Sequence, residues 1–476
     1  MKEGCVCKEL YTRAFFSFLG KMRTKDTIAA IATALSPSGI GIVRVSGEDA
    51  IETADKIFKG SKKLCEAQTH TINFGYIYDG DEIVDQVLVM IMKAPRSYTG
   101  ENVVEIQCHG GVLVMKRILS LVIDAGANQA EPGEFTKRAF LNGKIDLTQA
   151  EAVADIIDAE SQNSLKVGIR QLKGKLSEEL RDIRRQLLND IAYIEAALDD
   201  PEHYSLDGYE EELETKTSRI SARIERLIRN SEAGIIMKSG IDTVILGRPN
   251  SGKSSLLNLL AGTNRAIVTD IAGTTRDTLT ENVTLAGIKL NVTDTAGLRE
   301  SRDAVEKIGV ERAKKAAKEA ELILCVLDGS EDLTEEDSEV LDFIDGMNAI
   351  ILINKQDLST WKPCVDERIS KYPFIGFSAK SGQGLKELES LVKDMFFKGE
   401  INLNDEIYIT DVRHVQALKA AQESLRLVKM GIESGLPEDV ISVDLTDAYE
   451  ALGTITGETV GEDIINEIFS KFCMGK

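Results

Sequence analysis

Histidine and cysteine are both scarce in this chain, and their positions exclude two kinds of site. Only four histidines occur, and no two of them stand at a spacing that is typical of metal ligands. We therefore expect no zinc site. The seven cysteines are scattered, odd in number and without a C-x-x-C pair. This pattern indicates a reducing compartment instead of a disulfide framework, so we expect a cytoplasmic protein.

Basic charge and long apolar runs are also lacking. The 57 Lys and Arg residues face 78 Asp and Glu residues, which gives a net charge of −21. This excludes a broadly basic nucleic-acid surface, so any contact with RNA needs a local patch or a partner subunit. No stretch approaches the roughly 20 apolar residues of a membrane helix. We expect no association with a membrane and, from the length of 476 residues, two to four domains.

The central motif is G-x-x-x-x-G-K-S at 247–254. An apolar run precedes it and a helical pattern follows it, which is the context of a phosphate-binding loop. Gly247 and Gly252 let the backbone curl so that its N–H groups face phosphate oxygens. Lys253 can reach the terminal phosphates, and the Ser254 hydroxyl can ligate Mg²⁺. The alternative is a chance glycine-rich turn, which the motifs further along the chain disfavour.

Those motifs identify the base as guanine. G-T-T-R-D at 273–277 resembles a mobile loop whose Thr275 ligates Mg²⁺, and D-T-A-G begins at Asp294. In N-K-x-D, the Asp357 carboxylate can accept two hydrogen bonds from guanine, whereas adenine offers no matching donor pair. S-A-K at 378–380 supports the base. We therefore predict GTP contacts from Asn250, Ser251, Gly252, Lys253, Ser254, Ser255, Gly273, Thr274, Thr275, Asp294, Thr295, Ala296, Gly297, Asn354, Lys355, Asp357, Ser378, Ala379 and Lys380.

Hydrolysis also requires an oriented water and neutralised charge. The residue after Gly297 is Leu298, where many related GTPases carry a glutamine that orients the water. Glu300 and Glu306 are the candidates for that role. Spacing alone does not choose between them, and each could equally be a solvated surface residue.

Before the nucleotide motifs, the chain begins with an extension and a small domain. Residues 1–21 form an N-terminal extension whose apolar run is too short for a signal peptide and lacks a cleavage site; Met22 is an alternative start. Residues 22–141 predict a small mixed α/β domain. Its predicted strands are 27–32, 39–47, 71–78, 84–92 and 102–107, and its predicted helices are 49–58 and 112–125.

Long helices dominate residues 142–236. One apolar stripe has members three or four residues apart: Leu176, Leu180, Ile183, Leu187, Ile191, Ile194 and Leu198. A second amphipathic helix is predicted over 213–228. Such stripes are typical of a core face.

The nucleotide motifs occupy 237–396, and residues 397–476 are helical again. That tail, with predicted helices at 412–430 and 446–473, is too short to form a stable hydrophobic core of its own. We therefore predict that it packs on the helices of 142–236. The fold class is then multidomain α/β plus all-α, with a Ras-like P-loop GTPase domain inserted into a helical domain.

Several further stretches are more specific than the phosphate loop. They are D-T-I-A at 26–29, G-I-G-I-V-R-V-S-G at 39–47, Y-T-G-E at 98–101, H-G-G at 109–111, P-G-E-F at 132–135, R-A-F-L-N-G-K at 138–144 and F-C-M-G-K at 472–476. With the nucleotide motifs, they resemble the MnmE (TrmE) family of tRNA-modification GTPases. The resemblance extends from about Asp26 to the last residue. The loop 34–39 departs from the family's usual pattern.

The resemblance implies that residues 22–141 form a folate-binding domain that also makes a homodimer. Its ligand would be 5-formyl-tetrahydrofolate or a related folate, held by Arg44, Glu105, Lys144 and Lys476. Cations suit the folate carboxylates and a carboxylate suits the donors of the ring. Without the resemblance, the same residues are better interpreted as a strand-end arginine and a capping lysine.

The resemblance also implies a K⁺ ion in place of an arginine finger. Its ligands would be Asn250 of the phosphate loop and Thr269, Ile271 and Thr274 of the loop 269–274. The latter loop would also contact GTP through Thr269, Asp270, Ile271 and Ala272. Alternatively, Asn250 only stabilises the phosphate loop. The family's water-orienting acid aligns with Glu306, which we therefore prefer to Glu300 as a catalytic residue beside Lys253 and Thr275. Pairing of two GTPase domains would bring it to the phosphates.

A partner and a substrate follow from the same resemblance. The chain would work with a flavin-binding, NADH-using subunit of the MnmG (GidA) type, in a heterotetramer or larger complex. Together they would install an aminomethyl-type group at C5 of the wobble uridine in tRNA. Cys473 could serve that chemistry or be a structural thiol. The rival interpretations are a ribosome-assembly GTPase, or a regulatory GTPase whose N-terminal domain is only a dimerisation scaffold and binds no folate.

Overall fold

The computed structural model describes residues 26–263, 280–293, 315–362, 366–397 and 406–476. These residues fall into two units. The first contains the described residues up to Ala154, then Gln171–Ile224 and Gln416–Lys476. The second contains Asp155–Arg170 and the described part of Glu225–Val415. The second unit, which carries the phosphate loop, interrupts the chain of the first, as the predicted insertion requires.

The helices whose two ends both lie within the described residues are numbered here in chain order. They are α1 Ala50–Ile57, α2 Val112–Asp124, α3 Glu134–Leu141, α4 Leu147–Ile157, α5 Gln162–Leu172, α6 Lys175–Asp199, α7 Tyr209–Arg229, α8 Ser231–Ser239, α9 Lys253–Thr263, α10 Glu335–Phe343, α11 Leu385–Phe397, α12 Val412–Glu433, α13 Glu438–Thr456 and α14 Glu462–Ser470. None of the described helices is long and apolar enough to cross a membrane.

A seven-stranded sheet with the order β3-β4-β5-β6-β2-β1-β7 organises the start of the first unit. Its strands are β1 Ile28–Ile31, β2 Ser38–Ser46, β3 Phe58–Gly60, β4 Thr71–Asp79, β5 Glu82–Met92, β6 Val103–Gly110 and β7 Asn128–Gln129. All neighbours are antiparallel except β1 and β7. The five predicted strands are confirmed, and the short strands β3 and β7 were not predicted.

The two faces of this sheet differ in chemistry because side chains alternate along each strand. On one face, Val43, Val89 and Ile106 are fully buried in a core that includes residues of α1 and α2. The opposite face carries Arg44 and Glu105, which are register partners on β2 and β6. The alternation of side chains and the register of β2 with β6 therefore place these two charged residues on one face of the sheet.

The long helix α6 buries the predicted apolar stripe except at its end. Leu198 is 47% exposed, whereas Ala197 is buried. The prediction for Leu198 is wrong because the positions three and four residues after Ile194 flank one helix face, and the structure buries the nearer one.

The C-terminal tail packs on α6, as predicted. The Nε atom of Arg184 in α6 donates to the Tyr449 carbonyl oxygen in α13 at 3.2 Å, and its guanidinium lies 4.1 Å from the Tyr449 ring centroid. The tail is not one helix over 446–473 but two helices, α13 and α14. Gly457 has a φ of +88° and ends α13 in the left-handed conformation that favours glycine.

The second unit is built on a six-stranded sheet with the order β13-β12-β11-β8-β10-β9. Its strands are β8 Ile241–Leu246, β9 Thr280–Leu285, β10 Ile288–Thr293, β11 Leu322–Asp328, β12 Ala349–Asn354 and β13 Phe374–Gly376. All pairs are parallel except β9 with β10. The β9–β10 turn has Ala286 at φ 52° and Gly287 at φ 80°, as a two-residue hairpin requires.

Two apolar clusters enclose this sheet. One contains buried residues of α9 and α11, and the other contains Leu341 of α10. Every residue of β11 and β12 is buried, as expected for parallel strands covered on both faces. The arrangement brings the carboxyl ends of β8, β11 and β12 to one edge, where ligands bind in such sheets.

Candidate functional sites

The phosphate loop joins the carboxyl end of β8 to the first residue of α9, Lys253. Gly247 has a φ of +148° and Gly252 a φ of +107°. A Cβ on Gly247 would lie 2.3 Å from the Val326 carbonyl oxygen, and one on Gly252 would lie 2.0 Å from Nδ2 of Asn354. Both positions therefore require glycine, as a loop that curls around phosphate does.

Asn354 links the phosphate loop to the base-binding loop. Its Nδ2 donates to the Ser251 carbonyl oxygen at 2.8 Å, and its Oδ1 accepts from the Ala379 N–H at 2.9 Å. The side chain is 3% exposed, so water does not compete for these bonds. The structure thus brings together three motifs, the first of which lies more than 100 residues before the other two.

The predicted guanine-binding residues stand beside this link. The Ser378 hydroxyl donates to Oδ1 of Asp357 at 2.7 Å and accepts from the Ser381 N–H at 3.1 Å. Asp357 and Lys380 are exposed. A carboxylate oriented by a buried hydroxyl and open to solvent can accept the paired donors of a guanine base.

The lysine and the two serines of the phosphate-loop motif lie at the start of α9. The Nζ of Lys253 donates to the Gly247 and Arg248 carbonyl oxygens at 2.7 Å each. Ser254 and Ser255 are exposed in the first turn of α9, where the helix adds partial positive charge. The buried Ser251 hydroxyl has no hydrogen-bond partner among the described residues. This donor-rich cradle fits a phosphate chain with Mg²⁺.

Asp328, at the end of β11, is a part of this edge that the sequence analysis missed. Its carboxylate contacts Nζ of Lys355 and accepts from the Ser330 hydroxyl at 2.6 Å, and Nη2 of Arg248 lies 3.5 Å away. Burial raises the pKa of Asp328, but the hydrogen bonds from Lys355 and Ser330 outweigh it and hold the pKa below its usual range. In the sequence, this role could have been predicted from an aspartate that ends an otherwise apolar strand.

The remaining predicted nucleotide residues lie outside the described residues. They are Thr269, Asp270, Ile271, Ala272, Gly273, Thr274, Thr275, Asp294, Thr295, Ala296, Gly297, Glu300 and Glu306.

The first unit holds the predicted folate residues around Arg44. Its Nε lies 2.9 Å from Oε1 of Glu105, and its Nη1 donates to the Gly475 carbonyl oxygen at 3.1 Å. The guanidinium lies 5.9 Å from the ring centroid of Tyr98 and 5.6 Å from that of Phe135. An arginine that contacts aromatic rings and pairs with a carboxylate can receive a ligand that has both donors and acceptors.

The C-terminal residues complete this site. The Phe135 N–H donates to the Lys476 carbonyl oxygen at 3.1 Å, and Cys473 has an exposed free thiol. Gly475 has a φ of +85°, and a Cβ there would lie 2.3 Å from the Ile31 carbonyl oxygen. The last residues are therefore held against β1, close to Arg44.

Lys144 takes a different position from the other predicted folate residues. Its Nζ donates to the Pro95 carbonyl oxygen at 3.1 Å, and Gly100 packs against its stem. Lys144 therefore contacts the loop 95–100, and the Tyr98 ring of the same loop lies near Arg44.

Arg138, whose role the R-A-F-L-N-G-K motif did not predict, is a buried charge of this region. Its side chain is 4% exposed and forms ion pairs with Asp26 at 3.3 Å, Glu101 at 3.3 Å and Glu134 at 2.8 Å. Three carboxylates around one guanidinium fix the loop before β1, the 95–101 loop and α3 relative to each other.

Comparison with known proteins identifies the family. Residues 147–473 match the model of the MnmE helical domain, and residues 27–144 match that of the GTP-binding protein TrmE N-terminus. The tRNA modification GTPase MnmE of Lachnoclostridium phytofermentans is 54% identical over 95% of this chain and 99% of its own length. The Bacillus subtilis protein of the same name is 44% identical over 95% of this chain and 100% of its own length.

Among solved structures, Aquifex aeolicus Era bound to GDP·AlF4⁻ matches at 30% identity. The match covers 39% of this chain and 67% of Era, with a TM-score of 0.27. By its two family models and its full-length relatives, the chain belongs to the MnmE family of tRNA modification GTPases.

Proposed function

We propose that this chain binds and hydrolyses GTP in the modification of tRNA, in the cytoplasm. The Asn354 bridge supports the GTP part of this proposal most directly. One buried amide holds the phosphate loop through Ser251 and the base loop through Ala379. The two halves of a nucleotide site are thereby fixed at one sheet edge, with Asp357 exposed for guanine.

Hydrolysis in this site depends on positioning and on charge. Lys253 would hold the terminal phosphates, and Ser254 with Thr275 would hold Mg²⁺, which neutralises phosphate charge when bound. K⁺, with Asn250, Thr269, Ile271 and Thr274 as ligands, would add positive charge beside the bond that breaks. Glu306 would orient the attacking water.

The position of Asn250 supports a role beyond loop geometry. Its φ is +62° and its side chain is exposed. A left-handed conformation costs a non-glycine residue free energy, although asparagine tolerates it better than most. Because the side chain is exposed, its amide oxygen is also open to a ligand such as K⁺.

The first unit would bind 5-formyl-tetrahydrofolate as the one-carbon donor. Arg44 and Glu105 are both partly buried, with side chains 17% and 15% exposed, which strengthens their interaction with a polar ring. The partly exposed Tyr98 ring beside Arg44 suits a flat ligand. Lys144 and Lys476 would complete the site. The Cys473 thiol stands three positions before Lys476 in the sequence.

The same sheet face supports a homodimer. Phe74 pairs with Leu88, and Ile72 pairs with Met90, so these side chains share the face of Arg44 and Glu105 through the register of β5 with β6. Ile72 is 59% exposed, Phe74 53% and Leu88 42%. A contiguous exposed apolar patch beside a binding site marks an interaction surface. In the cell the dimer would join the flavin-binding, NADH-using subunit and tRNA.

GTP turnover in K⁺ buffer and in Na⁺ buffer tests the nucleotide mechanism. We expect strong stimulation by K⁺ in the unaltered chain and loss of that stimulation in Asn250→Ala. Asn258→Ala, an exposed asparagine on α9, is the matched control and should keep the stimulation. Equal rates in both salts would refute the cation site, and an absence of turnover in either salt would refute the GTPase assignment.

Folate binding tests the first unit separately. Equilibrium dialysis of the unaltered chain against 5-formyl-tetrahydrofolate should show binding that Arg44→Gln removes. A chain that binds no folate but hydrolyses GTP would support the scaffold interpretation instead.

A further inference from the structure

A groove runs between α7 and α12 within the first unit, and the proposed function leaves it unexplained. Its volume is about 370 Å³. One wall carries the hydroxyl side chains Thr217, Ser218 and Ser221, and the other carries Lys419, Arg426 and Lys429. We call these six residues the α7–α12 groove.

The groove is positively charged in a strongly acidic protein. Its lining includes three cations and one carboxylate, Glu423, whereas the whole chain has a net charge of −21. The larger groove of the same unit, about 970 Å³, is lined by four cations and four carboxylates, so its charges cancel. A local cationic patch is what the acidic composition demands of any surface that meets RNA.

The cations of α12 contribute little to holding the fold. Lys419, Arg426 and Lys429 are all exposed, and they share one helix side because they are seven and three residues apart. On the same helix, Arg426 pairs with Glu423 at 2.6 Å and Lys429 pairs with Glu433 at 3.9 Å, and such exposed pairs contribute little to stability. The buried residues Leu418, Leu425 and Val428 do the packing instead.

The spacing of these charges suits a chain of phosphates. Ten residues of helix separate Lys419 from Lys429, which is about 15 Å, and one nucleic-acid strand carries a charge about every 3.4 Å along its axis. Several phosphates can therefore face the groove at once. Hydroxyl groups such as those of Ser218 and Ser221 donate to phosphate oxygens, and their small size allows a backbone to approach.

We propose that the α7–α12 groove binds the phosphodiester backbone of the tRNA substrate. This inference rests on the proposed function, since it assigns a surface to the RNA on which the chain acts. Lysine, arginine and hydroxyl contacts position RNA without reading its bases. The groove therefore fixes how the tRNA lies on the protein and leaves the choice of uridine to other residues.

Binding of an unmodified tRNA transcript to the full chain, followed by fluorescence anisotropy between about 50 and 200 mM KCl, tests the proposal. The double variant Lys419→Gln and Lys429→Gln should bind roughly tenfold more weakly at low salt, and its salt slope should fall by about one to two. Lys116→Gln with Lys173→Gln removes two exposed lysines of the same unit and is the matched control. It should bind tRNA like the unaltered chain.

Two further measurements separate the outcomes. GTP turnover without RNA and the urea unfolding curve should both be unchanged in the double variant, which shows that both units are folded. Arg426→Lys should keep its affinity because the charge remains. An affinity and salt slope equal to those of the control variant would overturn the groove assignment, as would an unaltered chain that binds no tRNA. The GTPase assignment is judged independently, by turnover in the unaltered chain.

Discussion

Replacing Asn354 with alanine should separate the phosphate loop from the base loop and weaken GTP binding. The substitution removes two buried hydrogen bonds, of 2.8 and 2.9 Å, and leaves the Ser251 carbonyl and the Ala379 N–H without this partner. Each unsatisfied buried group costs about 1–3 kcal/mol, which gives about 2–6 kcal/mol for the pair.

Most of this cost should fall on the nucleotide-bound state. Without GTP the two loops can relax and reach water, whereas bound GTP holds both of them in place. Since about 1.4 kcal/mol corresponds to a tenfold change in affinity, the lower bound predicts a loss of roughly 30-fold.

The assay is titration of the chain with a fluorescent GTP analogue in Mg²⁺ buffer. Asn258→Ala, the exposed asparagine on α9, controls for the loss of an amide and should bind as the unaltered chain does. Urea unfolding of both variants reports whether the second unit stays folded. If Asn354→Ala binds the analogue as tightly as Asn258→Ala, the bridge does not hold the site and the reasoning is wrong.

Three other substitutions or probes test the first unit. Gly475→Ala should displace the C-terminal residues and weaken folate binding in dialysis, because its φ is +85° and its Cβ would lie 2.3 Å from a backbone oxygen; Gly461→Ala, which has open space, should not. Burial raises the pKa of Cys108 to about 11, so iodoacetamide near pH 8 should modify the exposed Cys473 much faster, as peptide mass spectrometry would show; equal rates would contradict the burial of Cys108. Arg138→Met should lower the free energy of unfolding in urea by about 2–4 kcal/mol, since it strands three partly exposed carboxylates, and an unchanged value would contradict this role.

Local patterns predicted most of the secondary structure. Alternation predicted the strands from β1 to β6 except β3. The failures also have local causes. The end of the α6 stripe depended on which of two flanking positions is buried, and the break at Gly457 depended on a left-handed φ.

By itself, the sequence determined the chemistry that each motif can perform, because glycine freedom, lysine charge and amide donors are properties of single residues. Only the tertiary structure decided which residues meet. Arg44 reaches Glu105 across 61 positions and Gly475 across 431, and Asp328 joins Lys355 because β11 and β12 are neighbours. Such pairings follow from strand order and register, which sum many weak contacts over the whole sheet. No local sequence pattern gives the strand order and register. The residues of each site could therefore be predicted from the sequence, but their contacts could not.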